Sequence, residues 1–131
     1  MKIICDTHVL LFWADAPERL SKKAAALLES GIESSSLRCS DISLWEIAML
    51  HRLGRLSLPV STDQYLKDIV MAMKLSVRPI TAEIAVLSQS DFFQHKGHAD
   101  RIIASTALAE NALLITKDEK LLNLTQIKSI W

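Results

Sequence analysis

Lys2-Ile-Ile-Cys-Asp-Thr-His-Val-Leu-Leu-Phe-Trp13 joins a short apolar run to an acid and then to an apolar stretch of helical length. Ile3, Ile4 and Cys5 suit a strand buried on both faces of a parallel sheet, where side chains alternate but neither face meets water. Asp6-Thr7 interrupts the run, and Val9 to Trp13 resumes it as a helix. Open α/β sheets place their ligands beyond the carboxyl ends of strands, which is where Asp6 stands. Asp also caps helices well, so Asp6 alone is open to both readings. Three further acids in comparable settings favour a site.

The rest of the chain repeats the strand-then-helix alternation. Ser21 is a suitable cap for a helix over Lys22 to Ser30, with Gly31 ending it. Leu37 to Ser40 reads as a strand and Asp41 to Leu53 as a helix, with His51 and Arg52 in its last turn and Gly54 beyond. Thr62 or Asp63 caps a helix to about Lys74, Ser76 to Ile80 is a strand, and Thr81 caps a helix to about Ser88. After an irregular stretch from Asp91 to Ala99 comes an alanine-rich helix from Asp100 to Glu110. Leu113 to Thr116 and Ile127 to Ile130 are strands separated by a helical turn. Such alternation implies βαβ units and a mainly parallel sheet.

The 131 residues make one domain, residues 1–131, without repeats or linkers, long enough to bury a core unaided. Fifteen basic and fifteen acidic residues cancel, so nucleic acid would have to be attracted by a local patch. Cys5 and Cys39 fall in apolar runs and read as reduced core residues. Ala14-Asp15-Ala16 resembles a signal-peptidase site, but the apolar segment before it is too short for a secretory signal. No run approaches the ~18 apolar residues of a membrane span. A cytoplasmic protein is the expectation.

Glu46 is the most informative of the three further acids. It lies within the helical pattern Ile42, Trp45, Met49, Leu50, Leu53, and a carboxylate on an apolar stripe is costly unless paired or bound to a cation. The alternative is a capping box, Ser43-Leu-Trp-Glu46, in which the carboxylate bonds back to the Ser43 backbone. Asp100 opens the alanine-rich helix, an ordinary place for Asp. Asp118 follows the strand Leu113 to Thr116, repeating the arrangement at Asp6. If Asp6, Glu46, Asp100 and Asp118 converge, their mutual repulsion calls for a divalent cation. Hard oxygen ligands with open water positions suit magnesium or manganese, which support phosphate hydrolysis.

Cys5-Asp-Thr-His-Val-Leu-Leu11, Ser40-Asp-Ile-Ser-Leu-Trp-Glu-Ile-Ala48, Ala99-Asp-Arg-Ile-Ile-Ala-Ser-Thr-Ala107 and Leu114-Ile-Thr-Lys-Asp118 resemble, in order, the successive blocks of PIN-domain nucleases. The resemblance runs nearly end to end and is closest to VapC-type toxins of bacterial toxin–antitoxin pairs. It implies a Rossmann-like three-layer α/β sandwich and a metal-dependent endoribonuclease, held in check by a cognate antitoxin and expected as a homodimer. Asp6, Glu46, Asp100 and Asp118 would be its acidic quartet, and Thr116 the hydroxyl residue supporting them. Many relatives carry Asp-Pro shortly before the Asp-Arg that corresponds to Asp100-Arg101, and Gly97-His98 stands there in this chain.

His95, Lys96, His98 and Arg101, with Arg52 and Arg55, read either as a small cationic rim for RNA phosphates, Lys96 and Arg101 above all, or as solvated loop and helix ends. Zinc on His95 and His98 lacks further ligands. Phe12, Trp13, Trp45, Met49, Met71 and Met73 are core at helical spacing, although a Met-rich and aromatic surface would also suit an antitoxin segment. Three other readings compete: a PIN nuclease of RNA processing with no antitoxin, a receiver-like signalling module, and a silent interaction protein. The receiver would need paired acids after the first strand, where Thr7 stands. A haloacid-dehalogenase-type phosphatase would need an acid at His8.

Overall fold

The computed structural model describes residues 1–94 and 97–131. His95 and Lys96, expected in the cationic rim, lie outside the described residues. The strands are β1 (Ile3–Cys5), β2 (Leu37–Ser40), β3 (Ser76–Arg78), β4 (Leu113–Ile115) and β5 (Ser129–Ile130). The helices are α1 (Thr7–Asp15), α2 (Lys22–Glu33), α3 (Asp41–Arg52), α4 (Thr62–Ala72), α5 (Ala82–Leu87), α6 (His98–Ala109) and α7 (Glu119–Leu122), and a 3-10 turn spans Pro17–Arg19.

The strands form one sheet in the order β3-β2-β1-β4-β5, and every neighbouring pair is parallel. β1 is central, as its unbroken apolar sequence requires. Its alternate side chains serve two cores. Ile3 and Cys5 join Val9, Leu10, Leu28, Ile47, Tyr65, Ile69 and Met73, from α1, α2, α3 and α4 and the residue after α4. Ile4 points the other way, to Ile103, Ala104 and Ala107 of α6, with Leu114, Leu121 and Ile127. Helices thus cover both faces, giving the expected three-layer α/β architecture. Each fully buried Ile or Leu contributes about 1.5–3 kcal/mol, and the alanines let α6 approach the sheet closely. Glu110, just beyond α6, accepts from Arg38 (2.6 Å) and Arg78 (2.9 Å), so the far end of that helix is tied to β2 and β3.

Several local expectations are corrected. Gly31 does not end α2, which continues to Glu33. It is buried, and a Cβ there would sit 2.4 Å from Leu37 Cδ2, so the glycine serves close packing against β2. The α4 cap is Ser61, whose hydroxyl accepts from the Gln64 amide, in place of Thr62 or Asp63. α6 starts at His98, two residues ahead of Asp100. Trp45 and Met71, read as core, are 57% and 78% exposed, whereas Phe12 and Met73 are buried. Cys5 and Cys39 are free and buried, and burial pushes both thiols up, Cys39 to about 12. Both stay protonated and unreactive. Among the described residues no helix is long and apolar enough to cross a membrane.

Candidate active site

In the order β3-β2-β1-β4-β5 the chain leaves β1 in one direction and later returns on its other side, so the switch point lies between β1 and β4. Ligands of open parallel sheets bind beyond the carboxyl ends of the strands at such a point. Asp6 directly follows β1 and Thr116 directly follows β4. The two meet: Thr116 Oγ1 donates to Asp6 Oδ2 at 2.7 Å, across 110 residues of sequence. Thr116 Oγ1 also accepts from the Asp118 amide at 3.1 Å. One buried hydroxyl therefore fixes the acid after β1 and the backbone of the acid after β4.

Asp6, Glu46, Asp100 and Asp118 line a single cavity of about 490 Å³, together with His8, Phe12, Lys117 and Glu119. Convergence of the acids, which spacing alone does not establish, is a property of the fold. Asp6 comes from the β1–α1 junction, Glu46 from the middle of α3, Asp100 from the first turn of α6, and Asp118 from the N-cap of α7. The Asp118 carboxylate accepts from the Lys120 amide at 2.8 Å. Its capping role is real, and it coexists with a place in the cavity.

The capping box proposed for Glu46 is absent. α3 is capped by Ser40, whose hydroxyl accepts from the Ile42 amide at 3.2 Å. Ser43 lies within the helix, fully buried, and accepts a hydrogen bond from Thr7 Oγ1 at 2.9 Å. Glu46 thus has no cap to serve. Its Oε1 is buried without a hydrogen-bond partner, and so is Asp6 Oδ1. Burial without a partner is costly for a carboxylate, which points to a cationic occupant. Asp41 Oδ1 and Ser105 Oγ are orphaned as well, but neither residue lines this cavity, whereas Asp6 and Glu46 both do.

Burial raises the Asp6 pKa above the ordinary 3.8, and the Asp118 charge adds to the effect. The Thr116 hydrogen bond, His8 and the Thr7 amide oppose it. Among the described residues no group of three or more His, Cys, Asp or Glu forms a ready-made metal cage. Magnesium does not need one. It keeps several waters and binds through one or two carboxylates plus substrate phosphate oxygens. The all-oxygen donors and the open space between them fit such an ion.

Lys117, Phe12, His8 and Glu119 were not singled out as site residues from the sequence, although Lys117 and Glu119 flank Asp118. Phe12 is a wall shared with a second cavity of about 420 Å³, lined also by His8, Asp15, Arg19, Leu50 and Arg55. Arg19 lies 4.3 Å from the Phe12 ring centroid and Lys117 Nζ 5.9 Å. Among the described residues these cations border the acid cavity and its neighbour, while Arg101 is half-buried in α6.

The chain is similar to known proteins along nearly its whole length. The family model described as PIN domain matches residues 3–126. The chain is 31% identical over 120 residues to ribonuclease VapC22 of Mycobacterium tuberculosis (strain ATCC 25618 / H37Rv), covering 91% of this chain and 88% of that protein. Its fold is similar to that in the crystal structure of VapBC2 from Rickettsia felis bound to a DNA fragment from their promoter. There the TM-score is 0.75 at 18% identity, over 99% of this chain and 98% of that one. The crystal structure of FitAcB from Neisseria gonorrhoeae superposes with a TM-score of 0.67 at 19% identity, over 98% and 96% of the two chains.

Proposed function

The chain belongs to the PIN-domain family, and from that premise we propose that it is an endoribonuclease, the toxin of a toxin–antitoxin pair. The observation that carries the reading is the convergence of Asp6, Glu46, Asp100 and Asp118 on one cavity, with buried, unpartnered oxygens on two of them. These four acids would hold magnesium or manganese. Such an ion, when bound, supplies a more acidic water and neutralises charge developing on the phosphate. Thr116 is a positioning residue: its hydroxyl donates to Asp6 Oδ2 and holds that carboxylate in one orientation, with Oδ1 left unpartnered. Lys117 stands at the rim, where it offers the approaching strand a positive charge that the neutral chain as a whole lacks.

The antitoxin reading is supported by the names of the relatives and by a shallow apolar groove beside α4, lined by Trp13, Pro59, Val60, Tyr65, Ile69 and Ala72 among others. An amphipathic segment can lay its apolar face there. The test is direct. Expressed alone, the protein is expected to stop growth and degrade RNA, and co-expression with its antitoxin to restore both. Purified, it is expected to lose cleavage in chelator and regain it with magnesium or manganese. Undiminished cleavage after thorough metal removal would rule out the proposed site, and normal growth with folded toxin would rule out the toxin role.

Self-association into a homodimer belongs to the same proposal. The Ile80 amide donates to Asp41 Oδ2 at 3.4 Å and Trp45 follows Asp41 by one helical turn, so two exposed apolar residues border the first half of α3. Patches of this kind mark protein contacts. Sedimentation at micromolar concentration is expected to give twice the chain mass, and Trp45→Glu to give the single mass. A parent protein that sediments as a monomer would refute the arrangement.

A further inference from the structure

Beside the acid cavity lies a separate one of about 350 Å³, lined by Phe92, Gln94, Lys120, Asn123 and Leu124. Lys120, Asn123 and Leu124 are spaced three and four residues apart, so α7 and its immediate continuation present them on one side. Phe92 and Gln94 form the opposite wall, from the segment that leads into α6. The α7 wall adjoins the acid site, because Asp118 and Glu119 line that cavity and Lys120, the next residue, lines this one.

We propose that this cavity binds one unpaired nucleobase of the RNA strand, next to the phosphate held at the acids. The inference rests on the ribonuclease reading and adds to it the place where sequence is read. The chemistry of the lining favours a base. Phe92 provides an aromatic face, and its ring is already fixed, 4.6 Å from that of the buried Phe93 and packed on the core around Ile4. A pre-held ring loses little freedom when a base stacks on it. Gln94 and Asn123 are exposed, and among the described residues neither amide takes part in a side-chain hydrogen bond. An amide presents a donor beside an acceptor, which matches the edge of a base and is a poor match for a phosphate. The volume is at the small end of ligand sites, roughly 300–1,000 Å³, and suits a single planar group. Unpaired bases are the usual target of sequence-specific RNA recognition because they can be splayed out and stacked.

The experiment measures binding of short single-stranded homopolymeric RNAs to the full chain, with calcium replacing magnesium so that the strand is held without turnover. The parent is expected to prefer one base by about 10-fold, a typical gain from one well-placed amide contact. The paired change Gln94→Ala and Asn123→Ala is expected to reduce that preference to about 3-fold or less. Its salt dependence should be unchanged, because no phosphate-binding cation is removed. Phe92→Leu keeps the packing, and is expected to weaken all four RNAs by about 10-fold through lost stacking, with a normal melting curve. Equal affinity of the parent for all four RNAs overturns the proposal, as does an unaltered preference in the paired variant. Selective binding without any cleavage in magnesium would overturn the ribonuclease reading and leave the base site standing. Cleavage by a protein whose preference ignores these residues would do the reverse.

Discussion

Asp6→Asn is expected to reduce RNA cleavage by on the order of 1,000-fold, about 4 kcal/mol of transition-state stabilisation, while raising the melting temperature of the metal-free protein. The two effects have one origin. Asp6 is buried, with Oδ1 unpartnered, and burial raises its pKa in the folded state above the ordinary 3.8. A carboxyl group that holds its proton more tightly when folded contributes stability below about pH 3.8. That contribution is lost as pH rises through the folded-state pKa, and at neutral pH the ionised group is a cost. Asn keeps an oxygen for the Thr116 hydroxyl and carries no charge, so it removes the cost. Relief of each kcal/mol raises the melting temperature by about 3–5 °C in a domain of this size. The gap between variant and parent should therefore be widest near neutrality and close as pH falls toward 4. Magnesium should stabilise the parent more than the variant. A variant that melts below the parent at pH 7 without metal would contradict the account.

Glu46→Gln is expected to lower turnover by on the order of 100-fold, about 2.7 kcal/mol, and to leave thermal stability equal or slightly higher. Ser40 supplies the helix cap, so the substitution removes no structural hydrogen bond from α3. The amide fills the same volume and relieves the repulsion among acids that share one cavity. Loss of activity with unimpaired folding would leave a functional carboxylate as the remaining explanation. A Gln variant that cleaves at the parent rate would remove Glu46 from the site.

The sequence discloses the site better than it discloses the helix ends. Ile3-Ile-Cys5 identifies a central parallel strand because no other setting buries three consecutive apolar side chains so cheaply, and the structure places β1 between β2 and β4. Asp6 and Asp118 are legible for the same reason, since a polar residue ending a buried strand stands out. Glu46 is ambiguous in sequence because Ser43 stands three residues before it, at capping-box spacing, while its neighbours form an apolar stripe. What decides is tertiary: Ser43 is engaged with Thr7 from another helix. Gly31 reads as a terminator in sequence because its contact partner, Leu37, belongs to the next strand. Trp45 and Met71 follow the apolar spacing of their helices yet face outward, and spacing cannot report which side of a helix the rest of the chain covers. The neighbouring cavity around Phe92 and Asn123 was illegible, being assembled from an irregular segment and a helix of four residues.

The hydrogen bond between Thr116 and Asp6 has a consequence for the cell that makes this protein. The two residues are 110 positions apart, so their hydrogen bond cannot form until Thr116 has been synthesised. At about 5–20 residues per second, Asp6 waits roughly 5–20 seconds for its partner to be made. Throughout that interval β1 lacks β4, its neighbour on one side, and the acid after it has no oriented companion. A growing chain that has not reached Thr116 therefore lacks the arrangement on which the proposed cleavage rests. Under the proposed function, the capacity to cut RNA thus arises late, after about 110 further residues have been added to the one that begins the site.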